Sequence, residues 1–190
     1  SRAALDMAAG FLESEGYIVE EVEPPLIMEG WRIFIQLIAM ELRTCFIPAA
    51  SPFMSENLKI YMNYFSRMFP GDSLIDYMTG FSQRLGIARE WALFLEKYPV
   101  ILSPVYAGAI PAPDFDIRDE DGFLSFMNSS RMVFMANFLG LPAVSLPVGV
   151  IKGLPVSVQL ISGRFREDLC LDVAGDIEKY VERFTPFTPV

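Results

Sequence analysis

The residue types that carry catalytic chemistry are few in this sequence, and their spacing excludes several mechanisms. The chain has no histidine, so a His-activated nucleophile and a His-ligated metal are excluded. Its two cysteines, Cys45 and Cys170, are far apart and lie among apolar residues. That context predicts buried, inert thiols rather than a disulfide or a structural zinc site. We therefore expect no metal and no cofactor.

The lysines and the one serine pair do not form a complete nucleophile and base. The four lysines are Lys59, Lys97, Lys152 and Lys179. Three fall on predicted helices and one in a predicted hairpin loop, and none lies near a Gly/Ser-rich stretch, where a buried lysine base would be expected. Ser129-Ser130 has no flanking glycine and is followed by arginine. We expect it to cap a helix or line a pocket rather than act as a nucleophile.

The acidic loop after residue 110 is a weak candidate for a calcium site. Asp119, Asp121 and Gly122 resemble part of a calcium-binding loop. The register fails, because Ile117 would occupy the first ligand position and Asn128 the position of the bidentate acid. A solvated acidic loop is the better interpretation.

Apolar spacing and Gly/Pro punctuation predict the elements that would position these groups. We predict helices near residues 4–12, 31–43, 55–69, 77–98, 126–138 and 166–182. We predict strands near residues 17–25, 99–104, 143–149 and 155–162. Gly16 is expected to end the first helix, Pro48 and Pro52 to mark a loop, and Pro70-Gly71 to end the third helix. This order predicts a helix-rich α/β chain with no internal domain boundary over 1–190.

Composition limits the partners and the compartment. Hydrophobic residues make up 52% of the chain and Phe occurs 16 times, which is more apolar surface than one small domain needs to bury. A net charge of −9 without a basic run disfavours nucleic acid. The uncharged run 33–40 is shorter than the roughly 20 residues of a membrane span, and the first residues do not resemble a signal peptide. We expect a soluble, cytoplasmic protein with no membrane partner.

The Pro- and Gly-rich stretch near the C-terminus resembles a known family. "NFLGLPAVSLPVG" at 137–149 is followed by "GLPVSVQLIS" at 153–162 and "FREDLCLDVA" at 165–174. This ordered combination resembles the C-terminal part of the amidase signature family. The similarity extends over essentially the whole chain. It is strongest in the last third and weakest between Met28 and Tyr98.

The resemblance implies both a fold and a reaction. The fold would be the C-terminal part of a mixed-sheet α/β/α domain, with a two-strand hairpin and a C-terminal helix. The reaction would be hydrolysis of a carboxylic amide to an acid and ammonia or an amine, by a nucleophilic Ser, a bridging Ser on a cis peptide and a Lys. The matching positions lie after that catalytic region, so the resemblance implies that the triad is upstream and that this chain alone is inactive. Its partners would be a small amide substrate and the upstream segment of the same domain, and a homodimer stays open.

By position in the family, four residues are candidates for contact with substrate. Tyr106 and Phe126 would form pocket walls, while Asn128 and Ser130 would make polar contacts. Core packing is the alternative for the two aromatic residues. The pocket would be aromatic and weakly polar, because no matching Arg or Asp is placed to bind a charged acyl group.

Two other functions remain open from the sequence. A triad-free binding module would keep only ligand or partner contacts. An amidase-like component of a glutamine-dependent amidotransferase would work within a protein complex, although no charged group for glutamine is evident. A Gly/Ser-rich segment upstream of Ser1, with a distant lysine, would favour the enzyme.

Overall fold

The computed structural model describes residues 2–69 and 73–182 and confirms a helix-rich α/β chain. The helices are α1 Arg2–Ser14, α2 Ile27–Glu41, α3 Ile47–Ala50, α4 Glu56–Met68, α5 Leu74–Lys97, α6 Phe115–Arg118, α7 Glu120–Ser129, α8 Arg131–Leu139 and α9 Glu167–Glu178. The strands are β1 Val100–Ser103, β2 Ala143–Ile151 and β3 Leu154–Ser162. The predicted stop at Pro70-Gly71 lies outside the described residues.

The Pro- and Gly-rich stretch forms the predicted hairpin. β2 and β3 pair antiparallel and are joined by Lys152 and Gly153, with φ values of 52° and 78°. Positive φ at both turn residues matches the right-handed twist of the strands that flank a two-residue turn. The register shifts between Pro147 and Gly149. This bulge lies at Pro147, which cannot donate to the ladder.

The described strands form one sheet in the order β1-β3-β2. On one face, Leu146, Val148, Val158 and Leu160 pack against the inner sides of α1 and α9. On the other, Ile101 packs against a cluster built from α2, α5 and α8. A third cluster joins α2, α4 and α7 around the fully buried Phe123. The sheet therefore lies between two helical layers.

Glycines at helix C-termini fix where α1 and α8 end. Gly16 has φ of 92°, and the Tyr17 backbone N–H donates to the Leu12 carbonyl at 3.0 Å, as predicted for a left-handed cap. Gly140, with φ of 65°, ends α8 in the same way. Two arginines bind the last carbonyls of α8: Arg84 donates to the Phe138 carbonyl, and Arg164 donates to the Leu139 carbonyl. The chain direction into β2 is therefore strongly determined.

The predicted loop at Pro48 and Pro52 is wrong, because the chain stays helical from Ile27 to Phe53. A single-turn π-helix at Leu42–Phe46 leads directly into α3, which begins at Ile47 and contains Pro48. A π-helical turn interrupts the regular α-helical hydrogen bonding, and a proline without an N–H is tolerated beside it. This run is long and apolar enough to cross a membrane by length and composition, as a core helix can also be. Within it, α2 buries Ile33 and Leu37 against α5 and α8, while 22% of the apolar window is buried in all.

The predicted strand over 17–25 is also wrong. Residues 17–24 have no strand assignment, and Ile18 is 90% exposed. A β-strand is stabilised by ladder hydrogen bonds. The sheet pairings among the described residues, β1 with β3 and β2 with β3, do not include this segment. The apolar residues Tyr17, Ile18, Val19 and Val22 do not by themselves form a strand here.

The remaining points concern which residues of α9 are buried and whether the two cysteines are exposed. α9 buries Cys170, Val173, Ala174 and Ile177, and Leu169 on the same side is half-buried. Cys170 is buried as expected, and burial raises the pKa of its thiol. Cys45 is exposed, contrary to prediction, because it lies in the π-turn on the outside of the helical run.

Candidate functional site

The loop after β1 meets the C-terminal end of α7. The rings of Tyr106 and Phe126 lie 5.8 Å apart at an interplanar angle of 34°. The Ala107 backbone N–H donates to the Ser129 carbonyl at 2.8 Å, which ties the loop to the helix end. Both rings are half-buried. Two of the four sequence candidates are thus in direct contact and form an aromatic surface.

Ser130 lies at the same helix end but its hydroxyl is already engaged. The side chain is buried, and Oγ donates to the Phe126 carbonyl at 3.0 Å. It does not cap α8, whose N-terminus has no side-chain cap. The hydrogen bond within α7 fixes the turn between the two helices. This hydroxyl would have to change partner to donate to a substrate, whereas its oxygen can accept without doing so.

Asn128 is directed away from the aromatic pair. Two residues along a helix correspond to about 200° of rotation, so Asn128 and Phe126 lie on nearly opposite sides of α7. The Asn128 Oδ1 accepts from Arg131 Nη2 at 2.8 Å. Arg131 in turn lies over the Trp31 ring, with Cζ 5.5 Å from the ring centroid. The candidates are therefore divided between two sides of the α7–α8 junction.

A row of polar side chains crosses the sheet at the end of β1. Ser103 pairs with Gln159, and Gln159 pairs with Ser145 on β2. Directly opposed residues on neighbouring strands point to the same face. Ser103 and Gln159 are 4% and 6% exposed, and within the described chain neither Ser103 Oγ nor Gln159 Nε2 has a hydrogen-bond partner. Sequence reasoning did not identify this pair as unusual, because alternation in a strand does not reveal what covers each face.

Two of the four lysines, Lys97 and Lys179, have contacts that shift the pKa away from that of a base near neutral pH. Lys179 binds Glu15 and Asp176, each at 2.7 Å, and these carboxylates raise its pKa. Lys97 lies over the Tyr98 ring, and contact with Tyr98 raises its pKa too. Lys59 pairs with Glu56 at 2.7 Å, while Lys152 occupies the hairpin turn. A lysine base near neutral pH needs the opposite shift.

A cavity of about 610 Å³ lies elsewhere, between the second half of α5, the end of α8 and the start of α9. Trp91, Leu95, Leu139, Leu141 and Leu169 line it with apolar surface, and Arg89, Glu96, Arg164 and Arg166 add charges. None of the four sequence candidates lines it. Over 2–69 and 73–182, no group of three His, Cys, Asp or Glu side chains is arranged to hold a metal ion.

Comparison with known proteins identifies the family. The Amidase family profile matches residues 1–171. The indoleacetamide hydrolase of Bradyrhizobium diazoefficiens is 38% identical over 180 residues, which are 93% of this chain and 34% of that protein. One component of the glutamyl-tRNA(Gln) amidotransferase of Archaeoglobus fulgidus is 33% identical over 96 residues, half of this chain and 20% of that protein.

Solved structures show the same fold. The 6-aminohexanoate cyclic dimer hydrolase in complex with its substrate superposes with a TM-score of 0.74 at 19% identity, covering 94% of this chain and 40% of that one. The Kluyveromyces lactis allophanate hydrolase gives a TM-score of 0.77 at 18% identity, covering 94% and 29%.

The fold is thus the C-terminal part of an amidase-signature fold. The chain belongs to the amidase signature family and spans about a third of the length of the indoleacetamide hydrolases it matches.

Proposed function

We propose that this chain forms the C-terminal part of an amidase that hydrolyses a carboxylic amide to an acid and ammonia or an amine. The single observation that carries the proposal is the family match over 1–171, together with 38% identity to an indoleacetamide hydrolase across nearly the whole chain. In this proposal the nucleophilic Ser, the Ser on a cis peptide and the Lys base lie in the preceding part of the domain. The substrate itself is a small amide.

The contacts of two lysines support the proposal that the catalytic base lies in the preceding part of the domain. A catalytic lysine must lose its proton near neutral pH, yet Lys97 and Lys179 have raised pKa values. Ser130 is held by a hydrogen bond to a backbone carbonyl rather than by a lysine. These contacts support a catalytic serine and lysine in the preceding part of the domain.

Two surfaces of the chain support the presence of a preceding part of the same domain that packs against it. β1 and β2 are both edge strands of the described sheet, so their outer N–H and C=O groups are free to pair with further strands. The apolar lining of the 610 Å³ cavity is also suited to cover by another part of the domain. The Tyr106–Phe126 pair would then form one wall of the acyl pocket.

A component of an amidotransferase complex is the second candidate function. The glutamyl-tRNA(Gln) amidotransferase components match about half of this chain at 31–37% identity. The indoleacetamide hydrolases match 93–94% of it at 37–38%. The greater coverage favours the hydrolase.

The test compares the chain alone with the chain joined to a catalytic segment. The 190-residue protein should not release ammonia from indole-3-acetamide or phenylacetamide. The same chain, fused behind the preceding region of the Bradyrhizobium diazoefficiens indoleacetamide hydrolase, should release it, and the intact hydrolase provides the positive control. Replacing Ser129 and Ser130 by Ala in the fusion should leave turnover detectable, because neither is the nucleophile.

Two results would contradict the proposal. Turnover by the isolated chain that is lost in the Ser129→Ala, Ser130→Ala variant would place the nucleophile in this chain. A folded fusion with no turnover of any amide would instead favour the triad-free binding module.

A further inference from the structure

The 610 Å³ cavity lies at the opposite end of β1 from the Tyr106–Phe126 pair. Pro99, Leu141 and Gly163 line it. Pro99 directly precedes β1, Leu141 lies just before β2, and Gly163 directly follows β3, whereas Tyr106 comes after the other end of β1. Pockets of about 300–1,000 Å³ are of the size that holds small molecules. The cavity is therefore a candidate binding site separate from the aromatic pair.

The apolar floor of this cavity is already in place. Trp91, Leu95 and Leu139 line it and are buried in one core cluster. The Trp91 indole N–H donates to the Pro25 carbonyl at 2.7 Å, which fixes the ring. Ala92 lines the cavity from an exposed position of α5, and its small side chain leaves the space open. A site preformed in this way loses little free energy to reorganisation when a ligand enters.

Arg164 is a positioned cation in the lining of the cavity. Its Nε and Nη2 donate to the Leu139 carbonyl at 3.0 and 2.6 Å. A guanidinium has five N–H donors, so the edge formed by Nη1 and the second Nη2 hydrogen remains for another acceptor. Arg166, also in the lining, binds Asp168 at 2.9 Å. Among the residues that the structure describes, exposed Arg164 forms no such ion pair, with Glu96 of the lining or with any other carboxylate.

The residue that follows Arg164 has an unfavourable backbone conformation and an uncovered ring. Phe165 has φ of 62°, in the left-handed region that bulky residues rarely adopt, and it is 88% exposed. Residues held in such conformations are concentrated at active sites and ligand-binding sites. Phe165 stands between Arg164 and Arg166, which both line the cavity. An apolar ligand at this rim would give the ring the cover that it lacks here.

From these observations we propose that the cavity binds a small monocarboxylate with an apolar body, and that Arg164 holds the carboxylate. A carboxylate can accept two parallel hydrogen bonds from the remaining edge of the guanidinium. The apolar body then lies against Trp91 and Leu95. This goes beyond the proposed amidase function, because the site lies at the other end of β1 from the acyl wall. The preceding part of the domain would cover the mouth of the cavity without filling it.

Tryptophan provides the readout, because the chain has only Trp31 and Trp91. The 190-residue protein labelled with 5-fluorotryptophan should give two ¹⁹F resonances, which Trp31→Phe assigns. Titration with hexanoate should shift the Trp91 resonance saturably. It should leave the Trp31 resonance in place, because Trp31 packs against Phe69 and does not line the cavity. Hexanamide has nearly the same shape but no charge, and its affinity should be lower by roughly tenfold or more.

Two substitutions separate the cavity from the rest of α5. Ala92→Phe places a ring in the cavity from an exposed position and should abolish the response of Trp91 to hexanoate. Gln83→Phe is the matched control: it adds the same ring to an exposed residue of the same helix that does not line the cavity. The response in that variant should be unchanged.

Arg164→Gln should weaken hexanoate binding by roughly tenfold or more, since it removes the charge and the fork. Arg164 also binds the end of α8, so this variant is compared with Arg164→Lys. Lysine keeps the charge but not the fork, and binding should weaken several-fold. If neither variant keeps the native Trp31 resonance, the Ala92→Phe variant and the hexanamide comparison decide.

Three results with the 190-residue protein would overturn the proposal. They are a Trp91 resonance that does not respond to hexanoate, an equal affinity for hexanamide, and a response unchanged by Ala92→Phe. In the folded fusion with the hydrolase segment, calorimetry should still detect hexanoate binding that Ala92→Phe removes. Its absence would mean that the preceding part fills the cavity, which would overturn the proposal too. Each of these results leaves the amidase proposal intact, because none measures turnover.

Discussion

At the scale of single residues, Gln159 and Ser103 conflict with the usual rule for buried polar groups. Buried polar groups in proteins nearly always have hydrogen-bond partners, since an unsatisfied one costs about 1–3 kcal/mol. Gln159 Nε2 and Ser103 Oγ are opposed on neighbouring strands and have none among the described residues. In this chain the Gln159 amide should therefore reduce stability rather than add to it.

We predict that Gln159→Met raises the stability of the 190-residue chain. Met has nearly the same length and shape, and it replaces an unsatisfied amide by an apolar group, so the gain should be about 1 kcal/mol. For a chain of this size that corresponds to a rise in Tm of about 2–4 °C. Thermal unfolding followed by circular dichroism measures it. Gln83→Met, at an exposed position of α5, is the matched control and should change Tm little.

A lower Tm for Gln159→Met would contradict this prediction. It would mean that the amide has a partner in solution, of which the opposed Ser103 hydroxyl is the nearest by register. The double variant with Ser103→Ala separates these cases. If the two side chains bond to each other, their effects on stability will not add.

Residue spacing alone predicts that two of the four site candidates, Phe126 and Asn128, cannot line the same pocket wall. Phe126 and Asn128 are two positions apart on a helix, which places them on nearly opposite sides. The structure accordingly puts Phe126 against Tyr106 and Asn128 against Arg131. The contact of Arg131 with Trp31 joins positions 100 residues apart in sequence. No local pattern indicates it, so this contact was not predicted.

At the scale of helices, strands and turns, the sequence correctly predicts the elements that are determined by nearby residues. It does not predict correctly the elements that depend on residues distant in the sequence. The hairpin follows from Pro147, Gly149 and Gly153, and the cap of α1 follows from Gly16. These effects act within a few residues. The strand expected over 17–25 depended on a pairing partner. The helical run through Pro48 depended on a π-turn that the sequence does not signal.

The hairpin turn gives a prediction that distinguishes backbone strain from a lack of room for a side chain. A Cβ at Gly153 or at Gly86 would have no heavy atom within 4 Å, but only Gly153 has a positive φ, at 78°. Gly153→Ala should therefore destabilise the chain by about 1–2 kcal/mol through strain alone. Gly86→Ala, on the exposed side of α5, should stabilise it by about 0.5–1 kcal/mol. Urea unfolding of the two variants measures both.

The test depends on whether the two substitutions change the free energy of unfolding in opposite directions. If both variants are stabilised, the turn adopts a different backbone conformation in solution. If both are destabilised, packing at Gly86 has been underestimated. Equal m-values in the two transitions would confirm that native stability, and not the compactness of the unfolded state, has changed.

At the scale of the whole molecule, part of the apolar excess seen in the sequence is exposed, and one group of it lies along a single helix. The composition alone predicts that Phe34, Phe46, Phe53, Phe65 and Phe69 compete for cover. Phe65 is buried, Phe34 and Phe69 are partly buried, and Phe53 is 89% exposed. More surface comes from the α5 apolar stripe, which consists of Leu74, Ile75, Met78, Phe81 and Leu85, each between 44% and 75% exposed.

The spacing of this stripe indicates a helix-sized contact. Leu74, Met78, Phe81 and Leu85 follow intervals of four, three and four, which places them along one side of α5. Each large side chain left in water forgoes about 1.5–3 kcal/mol of burial, and total stabilities of domains are only about 5–15 kcal/mol. A chain that leaves such a stripe open should associate or bind other apolar surfaces.

We therefore predict that the isolated chain binds the dye ANS and sediments as a mixture of species. Leu85→Lys should reduce both, because it places a charge at the C-terminal end of the stripe, on a side chain that is 71% exposed. Gln83→Lys adds the same charge to an exposed polar position of the same helix and should reduce neither. Fusion behind the preceding region of the indoleacetamide hydrolase should lower dye binding per molecule if that region covers α5. A monodisperse, dye-silent chain that melts cooperatively would contradict the prediction. Such a chain would fold without the rest of the domain, and the triad-free module would then explain it better than the C-terminal part of an enzyme.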